Sequence, residues 1–308
     1  MIKILSVNIS EKTGTIKHPV DFILINEKGV LNDAHAGDWQ RQVSMLGTES
    51  IEKFSKEAKR KINPGEFAEN ITTQGFELSK ANILDRFENG NIILEVTQIG
   101  KECHGASCAI FNEVGNCVMP KEGIFCRVIK GGKLKAGDEI KYVPKVFKIA
   151  VITLSDRAYR GEYSDLSGPA VKEHITAHFS KTNRPTEIDY TLLPDNPEML
   201  KEKLQELTTK NVDIIFTTGG TGIGSKDFTV DVVKPLLHKE IPGIMEYIRY
   251  KYGSEKLNAL ISRSVAGTIG KTMIFTLPGS IKAVDEYMPE ITKMLEHLIL
   301  MLHDIDSH

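Results

Sequence analysis

The chain has 308 residues, of which 41% are hydrophobic and 26% are charged, and its formal net charge is −2. This length allows two domains, each with its own hydrophobic core. Residues 1–145 carry 20 Lys and Arg against 19 Asp and Glu, and residues 146–308 carry 19 against 22, so neither half has the basic excess of a nucleic-acid-binding surface. No apolar run reaches the roughly 18 residues of a membrane span, and the first residues do not resemble a signal peptide. We therefore expect a cytoplasmic protein with no membrane or nucleic-acid partner.

The first half of the chain predicts a mainly-β domain. Its short apolar segments are separated by Gly and Asn turns, a pattern typical of a small barrel or sandwich. The predicted strands are 3–10, 21–26, 92–99, 123–129 and 138–143. Only residues 48–60 have helical spacing, and Thr48 is the predicted N-cap of that helix.

All four cysteines lie within one 24-residue window, at Cys103, Cys108, Cys117 and Cys126. Together with His104 they could form a zinc site, but the spacing lacks the C-x₂-C pairs typical of structural zinc. They could also be small buried residues of a core. A functional thiol is the leading interpretation, because reactivity usually decides whether a free cysteine matters.

At these residues the first half resembles the MOSC domain family, over about residues 1–143. The resemblance is carried by residues 63–70 (NPGEFAEN), 99–103 (IGKEC) and 119–125 (MPKEGIF). It implies a β-rich domain that carries sulfur or binds the molybdenum cofactor through a cysteine. Cys103 matches the characteristic cysteine of the family, and Cys117 is the second candidate thiol.

After residue 145 the pattern changes to strands that alternate with helices, so we expect a domain boundary there, between domains 1–145 and 146–308. The predicted strands are 147–154, 187–193, 212–217, 263–269 and 272–277. The predicted helices are 168–179, 197–208, 230–237, 241–252 and a long one that ends near 304. Such alternation predicts an α/β fold with a mostly parallel sheet and helices on both faces.

Polar and glycine residues follow four of these strands where the strands end. They are Ser155, Asp156 and Arg157; Asp195; the turn Thr218, Gly219, Gly220, Thr221 and Gly222, with Asp227 after it; and Pro278, Gly279 and Ser280. Ligands of parallel sheets bind outside the carboxyl ends of the strands. We therefore expect these residues, including three carboxylates, to converge on one edge.

The residue types at this edge indicate phosphate chemistry. Glycine-turn amides and helix N-termini favour phosphate oxygens, whereas carboxylates repel them unless a divalent cation lies between. Mg²⁺ is the usual cation, held by one or two carboxylates and by phosphate oxygens of the substrate. The sequence therefore predicts phosphoryl or nucleotidyl transfer, in which Asp195 and Asp227 hold metal or orient substrate. Neither a P-loop nor a dinucleotide-binding fingerprint is present.

Simpler interpretations exist for each residue. The glycines could form only a turn. Asp195 and Asp227 could each cap the helix that follows. Arg263 could bind phosphate bidentately or could pair with a surface carboxylate. Capping alone does not explain why carboxylates recur at successive strand ends beside a glycine turn.

The second half is similar to the MogA/MoaB-like family, which includes the molybdopterin adenylyltransferases, over about residues 146–303. The matching stretches are 152–157, 193–195, 217–222, 226–229, 241–243, 260–263 and 277–280. The resemblance implies that ATP and Mg²⁺ are used to adenylylate molybdopterin, with release of pyrophosphate. Asp195 and Asp227 match the catalytic aspartates, with Mg²⁺ expected at Asp227. The substrate-binding segments would be Ser155, Asp156 and Arg157, the 218–222 turn, Ser262 and Arg263, and Pro278, Gly279 and Ser280.

One departure from the family pattern is Thr229-Val230, where Thr-Pro is usual; it removes a preferred helix-start proline but no chemical group. The resemblance also suggests a trimer, and other molybdenum-cofactor enzymes, such as a molybdotransferase, as partners. The combined prediction is a MOSC-like β-barrel domain followed by a molybdopterin adenylyltransferase domain that acts on small molecules. The alternatives are a carrier that binds molybdopterin or the finished cofactor without chemistry, and an α/β protein that acts on other nucleotides.

Overall fold

The computed structural model describes residues 1–101 and 118–305. It divides the chain into two compact units, Met1–Lys145 and Val146–His308. Among the described residues, no helix combines the length and the apolar character needed to cross a membrane.

The first unit is a β-barrel, as the turn-rich sequence predicts. Its main sheet has the strand order β11-β7-β8-β9-β5-β6-β1-β2, and β11 also pairs with β1, which closes the sheet. A smaller sheet has the order β10-β3-β4. The strands are β1 Ile2–Ile9, β2 His18–Val20, β3 Phe22–Asn26, β4 Gly29–Val30, β5 Val43–Gly47, β6 Ile71–Gln74, β7 Arg86–Glu88, β8 Ile93–Ile99, β9 Ile124–Lys130, β10 Gly132–Lys135 and β11 Glu139–Val143. Alternate residues, among them Ile4, Met45 and Val96, face inward and form the core.

The described helices of this unit are α1 Thr48–Ala58, a 3₁₀ turn Leu78–Lys80 and α2 Met119–Glu122. The prediction that Thr48 caps α1 is wrong, because Thr48 is already helical and the N-cap is Gly47, an extended residue with no capping side chain. The sequence also misses the shortest strands, such as β4 and β7, which are too short to show an alternating pattern.

The second unit is an α/β sheet with the order β13-β12-β14-β17-β16-β15. The first four strands are parallel; β16 pairs antiparallel with β17, and β15 pairs antiparallel with β16. The strands are β12 Phe147–Leu154, β13 Thr186–Leu193, β14 Ile214–Thr218, β15 Lys239–Glu240, β16 Ala266–Ile269 and β17 Thr272–Leu277. All five residues of β14 are buried, as expected for a central parallel strand.

Helices cover both faces of this sheet. They are α3 Asp156–Tyr159, α4 Ser167–Lys181, α5 Pro197–Thr209, α6 Thr229–Val233, α7 Pro242–Gly253 and α8 Ile281–Leu302, with 3₁₀ turns at Lys234–Leu236 and Leu257–Ile261. Residues of α5 and α6 pack with Ile152 and Ile215 on one face. On the other face Phe179 of α4 packs against Phe147, with ring centroids 5.0 Å apart. The predicted helix 230–237 divides into α6 and a 3₁₀ turn, since Pro235 has no N–H for the α-helical ladder.

One ion pair of the barrel unit is fully buried. Lys17 Nζ lies 2.5 Å from Asp33 Oδ2, and their side chains are 0% and 1% exposed. Lys17 Nζ also lies 3.2 Å from His35 Nδ1. Burial alone would raise the pKa of Asp33, but hydrogen bonds from His35 and Lys17 outweigh burial and lower it. The pair therefore contributes stability above about pH 4, the ordinary aspartate range, and loses it as the pH falls toward the folded-state pKa.

We expect Asp33→Asn to lower the free energy of unfolding by about 3 kcal/mol or more, because it leaves the buried Lys17 ammonium without its counter-charge. Asp38→Asn is the matched control: Asp38 pairs with Lys28 in the same unit, but the two side chains are 80% and 52% exposed. The control should change stability by less than about 1 kcal/mol. Urea denaturation of both variants measures the difference, and equal effects would contradict the buried-pair explanation.

Candidate functional site

The carboxyl ends of the four parallel strands meet at one edge of the α/β sheet. Leu154 at the end of β12 pairs with Leu193 at the end of β13, and Thr218 at the end of β14 pairs with Leu277 at the end of β17. The residues that follow these four ends are the ones that the sequence predicts as a site. Parallel register therefore brings distant segments together.

Asp156 and Asp195 hold each other through reciprocal hydrogen bonds. The Asp156 amide donates to Asp195 Oδ2 at 3.1 Å, and the Asp195 amide donates to Asp156 Oδ1 at 3.0 Å. Asp195 does not cap α5; Asn196 does, by accepting from the Met199 amide at 2.9 Å. The capping alternative for Asp195 therefore fails.

Lys226 connects this pair to the glycine turn. Its ammonium forms an ion pair with Asp156, and it also interacts electrostatically with Asp195. The hydrogen bond from Lys226 lowers the pKa of Asp156, and the same contact raises the pKa of Lys226. Asp227 is the next residue, so Asp195 and Asp227 lie at the same edge of the sheet.

Asp227 faces the glycine turn rather than capping a helix. Its Oδ2 accepts from the Gly224 amide at 2.8 Å. Phe228 occupies the N-cap of α6, and no side chain caps that position. A Cβ on Gly222 would lie 2.7 Å from Asp227 Oδ2, so this carboxylate needs a glycine beside it. The second capping alternative fails as well.

The turn itself depends on two glycines with left-handed backbones. Gly219 has φ 102° and Gly220 has φ 65°. A Cβ on Gly219 would lie 2.4 Å from the Leu154 carbonyl oxygen, and one on Gly220 would lie 2.4 Å from Thr229 Oγ1. Thr218 Oγ1 donates to the Pro278 carbonyl at 3.0 Å, which joins the turn to the loop after β17.

Arg263 stabilises this turn and the residues that follow it through hydrogen bonds. It donates to the Gly222 and Asp227 carbonyl oxygens and binds both carboxylate oxygens of Asp231, at 2.8 and 2.9 Å. Of the two roles open from the sequence, the structure shows the pairing with a surface carboxylate. Ser262, its neighbour, lies within 2.8 Å of Ser264 through the two hydroxyls.

A cleft of about 760 Å³ opens in front of the turn. It contains the 219–222 turn, Asp227, Ser262 and Pro278 to Ser280, all predicted from the sequence, so the structure brings these together. It also contains Lys256, Lys282, Glu286 and Tyr287, which the sequence analysis does not find. The missed residues lie on α8 and beside the 3₁₀ turn Leu257–Ile261, and no strand end or motif marks them.

Ser155 belongs to a second, smaller cavity of about 320 Å³ that shares Gly279 and Ser280 with the cleft. Ser155 Oγ lies 2.9 Å from Tyr163 Oη, and the Arg157 guanidinium stacks on the Tyr163 ring, 5.1 Å from its centroid. Asp165 in this cavity accepts hydrogen bonds from Thr153, Ser167 and Tyr190. Burial would raise the pKa of Asp165, but these hydrogen bonds lower it, so it is a carboxylate at neutral pH.

Comparison with known proteins follows the same division of the chain. A family model described as a probable molybdopterin binding domain matches residues 150–297, and a MOSC domain model matches residues 32–141. Molybdenum cofactor biosynthesis protein B of Staphylococcus carnosus is 40% identical over 153 residues, which are 49% of this chain and 87% of that protein. The chain belongs to the MoaB/MogA-like molybdenum cofactor biosynthesis family.

Two further proteins are similar to about half of this MoaB/MogA-like chain. The Drosophila melanogaster molybdenum cofactor synthesis protein cinnamon is 32% identical over 155 residues, 50% of this chain and 25% of that protein. The crystal structure of MoaB from Thermus thermophilus has 33% sequence identity and a TM-score of 0.47, and the match covers 51% of this chain and 97% of that one. Each of these two matches covers about half of this chain.

The thiols predicted in the MOSC region, Cys103 and Cys117, lie outside the described residues. Cys126 is described: it is buried in β9, its Sγ lies 3.9 Å from Met45 Sδ, and burial raises the pKa of its thiol. Cys126 is therefore part of the barrel core. Within residues 1–101 and 118–305, no group of three or more His, Cys, Asp and Glu side chains is placed to hold a metal ion.

We expect Gly220→Ala to disturb the turn of this MoaB/MogA-like unit. The new Cβ meets Thr229 Oγ1, so the variant should lose about 1 to 3 kcal/mol from crowding beyond the strain of a left-handed alanine. Gly270→Ala is the matched control, because Gly270 has φ 59° but no atom within 4 Å of an added Cβ. Thermal denaturation compares the two variants, and equal losses would show that the space around Gly220 does not matter.

Proposed function

We propose that the second unit transfers the adenylyl group of ATP to molybdopterin and releases pyrophosphate. The observation that carries the proposal is the convergence of Asp195, Asp227 and the glycine turn at one sheet edge, where neither aspartate caps its own helix. Membership in the MoaB/MogA-like family supports molybdopterin as the ligand.

The turn and one helix supply the groups that hold phosphate. Residues 219–222 of the turn line the cleft, and Ser280 caps the first turn of the 22-residue helix α8 at the same cleft. Free amides and the positive end of a helix stabilise phosphate oxygens. Arg263 has a positioning role in this scheme, because its donors hold the carbonyls behind the turn.

The proposed reaction joins the phosphate of molybdopterin to the α-phosphate of ATP. An oxygen of the molybdopterin phosphate attacks the α-phosphorus of ATP and forms a new P–O bond, while the bond between the α-phosphorus and the bridging oxygen breaks. Pyrophosphate leaves with that oxygen. The attacking phosphate is already ionised, so no general base is required, and the protein contributes positioning and charge stabilisation.

Asp227 is suited to hold Mg²⁺ in this scheme. Its Oδ2 is occupied by the Gly224 amide, and across the described residues its Oδ1 accepts no hydrogen bond. One carboxylate with substrate phosphates is a common environment for Mg²⁺. When bound, the ion would offset the charge of the departing pyrophosphate.

Substitution of each aspartate tests the proposal. We expect Asp227→Asn to lower the rate of pyrophosphate release by at least about 100-fold, because it removes the charge beside the reacting phosphates. Asp195→Asn should lower this rate by about tenfold or more, because the carboxylate charge beside Asp156 and Lys226 is lost. Asp189→Asn is the control: Asp189 lies within β13, its side chain is 62% exposed, and the rate should stay within about twofold of wild type.

The measurement is pyrophosphate release from ATP, Mg²⁺ and molybdopterin. A wild-type chain that binds molybdopterin but releases no pyrophosphate would be a carrier, which contradicts the proposal. Adenylylation of nicotinamide nucleotides in place of molybdopterin would contradict the proposal and favour an α/β protein that acts on other nucleotides.

For the first unit we propose that Cys103 carries sulfur or binds the molybdenum cofactor, with Cys117 as the second thiol. The support is the MOSC match over residues 32–141. Cys103→Ala should then impair maturation of the cofactor and leave adenylylation unchanged. Equal loss of both activities would count against separate roles for the two units.

A further inference from the structure

One wall of the cleft, formed by residues 256, 282, 286 and 287, carries charges that the adenylylation scheme does not use. Lys256 and Glu286 form an ion pair there, and both line the cleft. Lys256 precedes the 3₁₀ turn Leu257–Ile261, and Glu286 lies in the second turn of α8. The pair therefore connects the residue before this 3₁₀ turn with α8, and both residues line the cleft.

The two partners differ in their access to the cleft. The Lys256 side chain is 41% exposed, whereas that of Glu286 is 16% exposed. An ammonium has three N–H donors. Across the residues that the structure describes, the Lys256 ammonium donates one hydrogen bond to Glu286 Oε1, so it keeps further donors for a ligand.

A second observation on this wall indicates a ligand. Tyr287 follows Glu286, lines the cleft and is only 2% exposed. Its hydroxyl is buried and has no hydrogen-bond partner among the residues that the structure describes. Buried hydroxyls normally have partners, so Tyr287 contributes an unsatisfied polar group to the residues that line the cleft.

The charges on this wall favour an anion. Lys256 and Lys282 are cations, and Glu286 is the carboxylate of the same wall. The carboxylate reduces the attraction for a phosphate, so the pair sets how tightly the cleft holds a polyanion. This balance matters for a site that must release a highly charged product.

We propose that Lys256 binds a phosphate group in this cleft, and that Glu286 limits the strength of that binding. The inference rests on the proposed function, since it assumes that the cleft takes phosphorylated ligands. Lys256 is then a binding residue, and Glu286 is the residue that keeps pyrophosphate from being retained. The two substitutions therefore have opposite expected effects.

The experiment is a calorimetric titration of the full chain with inorganic pyrophosphate and, separately, with ATP, both in Mg²⁺. Lys256→Met should weaken pyrophosphate binding by about tenfold, the effect of one charge-assisted hydrogen bond at a partly exposed site. Glu286→Gln should strengthen it by about threefold or more, because the nearby negative charge is removed while an acceptor for Lys256 remains. Lys256→Arg should stay within about threefold of wild type, since the positive charge is kept.

Lys210 and Glu206 provide the control pair, because they form an exposed i,i+4 ion pair on α5 and do not line the cleft. Lys210→Met and Glu206→Gln should not change pyrophosphate affinity, and thermal unfolding checks that every variant is folded. If Lys256→Met and Glu286→Gln shift the affinity in the same direction, or if neither shifts it, the pair only connects Lys256 with α8 and the inference is overturned. If wild type binds neither pyrophosphate nor ATP, the proposed function fails together with this inference.

Discussion

The edge of the α/β sheet depends on how closely three chain segments approach one another. Gly219 leaves no space for a side chain against the Leu154 carbonyl, and a Cβ on Gly279 would lie 3.2 Å from the Gly219 Cα. The segments that follow β12, β14 and β17 therefore contact one another through main-chain atoms. Because no side chain fills this space, the main chain of the 219–222 turn lines the cleft, and Asp227 lines it as well.

Electrostatic balance is the second property of this edge. Asp156 is paired with Lys226, Arg263 with Asp231, and Lys256 with Glu286. Asp227 is different, since an amide is its hydrogen-bond donor and no ion pair with it is found among the described residues. A carboxylate without an ion-pair partner attracts a cation and repels a phosphate, as the proposed function requires of Asp227.

Much of the architecture could be predicted from the sequence, because long periodic segments determine it. The bounds of β12 and β17 are those predicted, and β14 is shifted by only two residues at its start. The convergence of strand ends also follows from the sequence, since parallel register fixes which ends share an edge.

The remainder depends on tertiary contacts that leave no local pattern. Lys256, Glu286 and Tyr287 face the cleft only because α8 and the 3₁₀ turn Leu257–Ile261 pack around it. The partner of Arg263 could not be chosen from the sequence either, because Asp231 is 32 residues away and lies on a short helix. Thr48 is predicted as a cap because a hydroxyl residue stands at the start of a helical pattern, yet the strand before it continues to Gly47, and Thr48 is already the first helical residue.

The contacts of Arg263 also have an evolutionary consequence. Its guanidinium binds two main-chain carbonyls, which any residue provides, and one side chain, Asp231. A lineage that replaced Asp231 alone would leave the Arg263 cation without its counter-charge. A lysine at 263 could not replace the arginine, because it lacks the planar guanidinium that binds all of these acceptors at once. Positions 231 and 263 are therefore expected to change together among descendants of this chain, independently of Asp195 and Asp227.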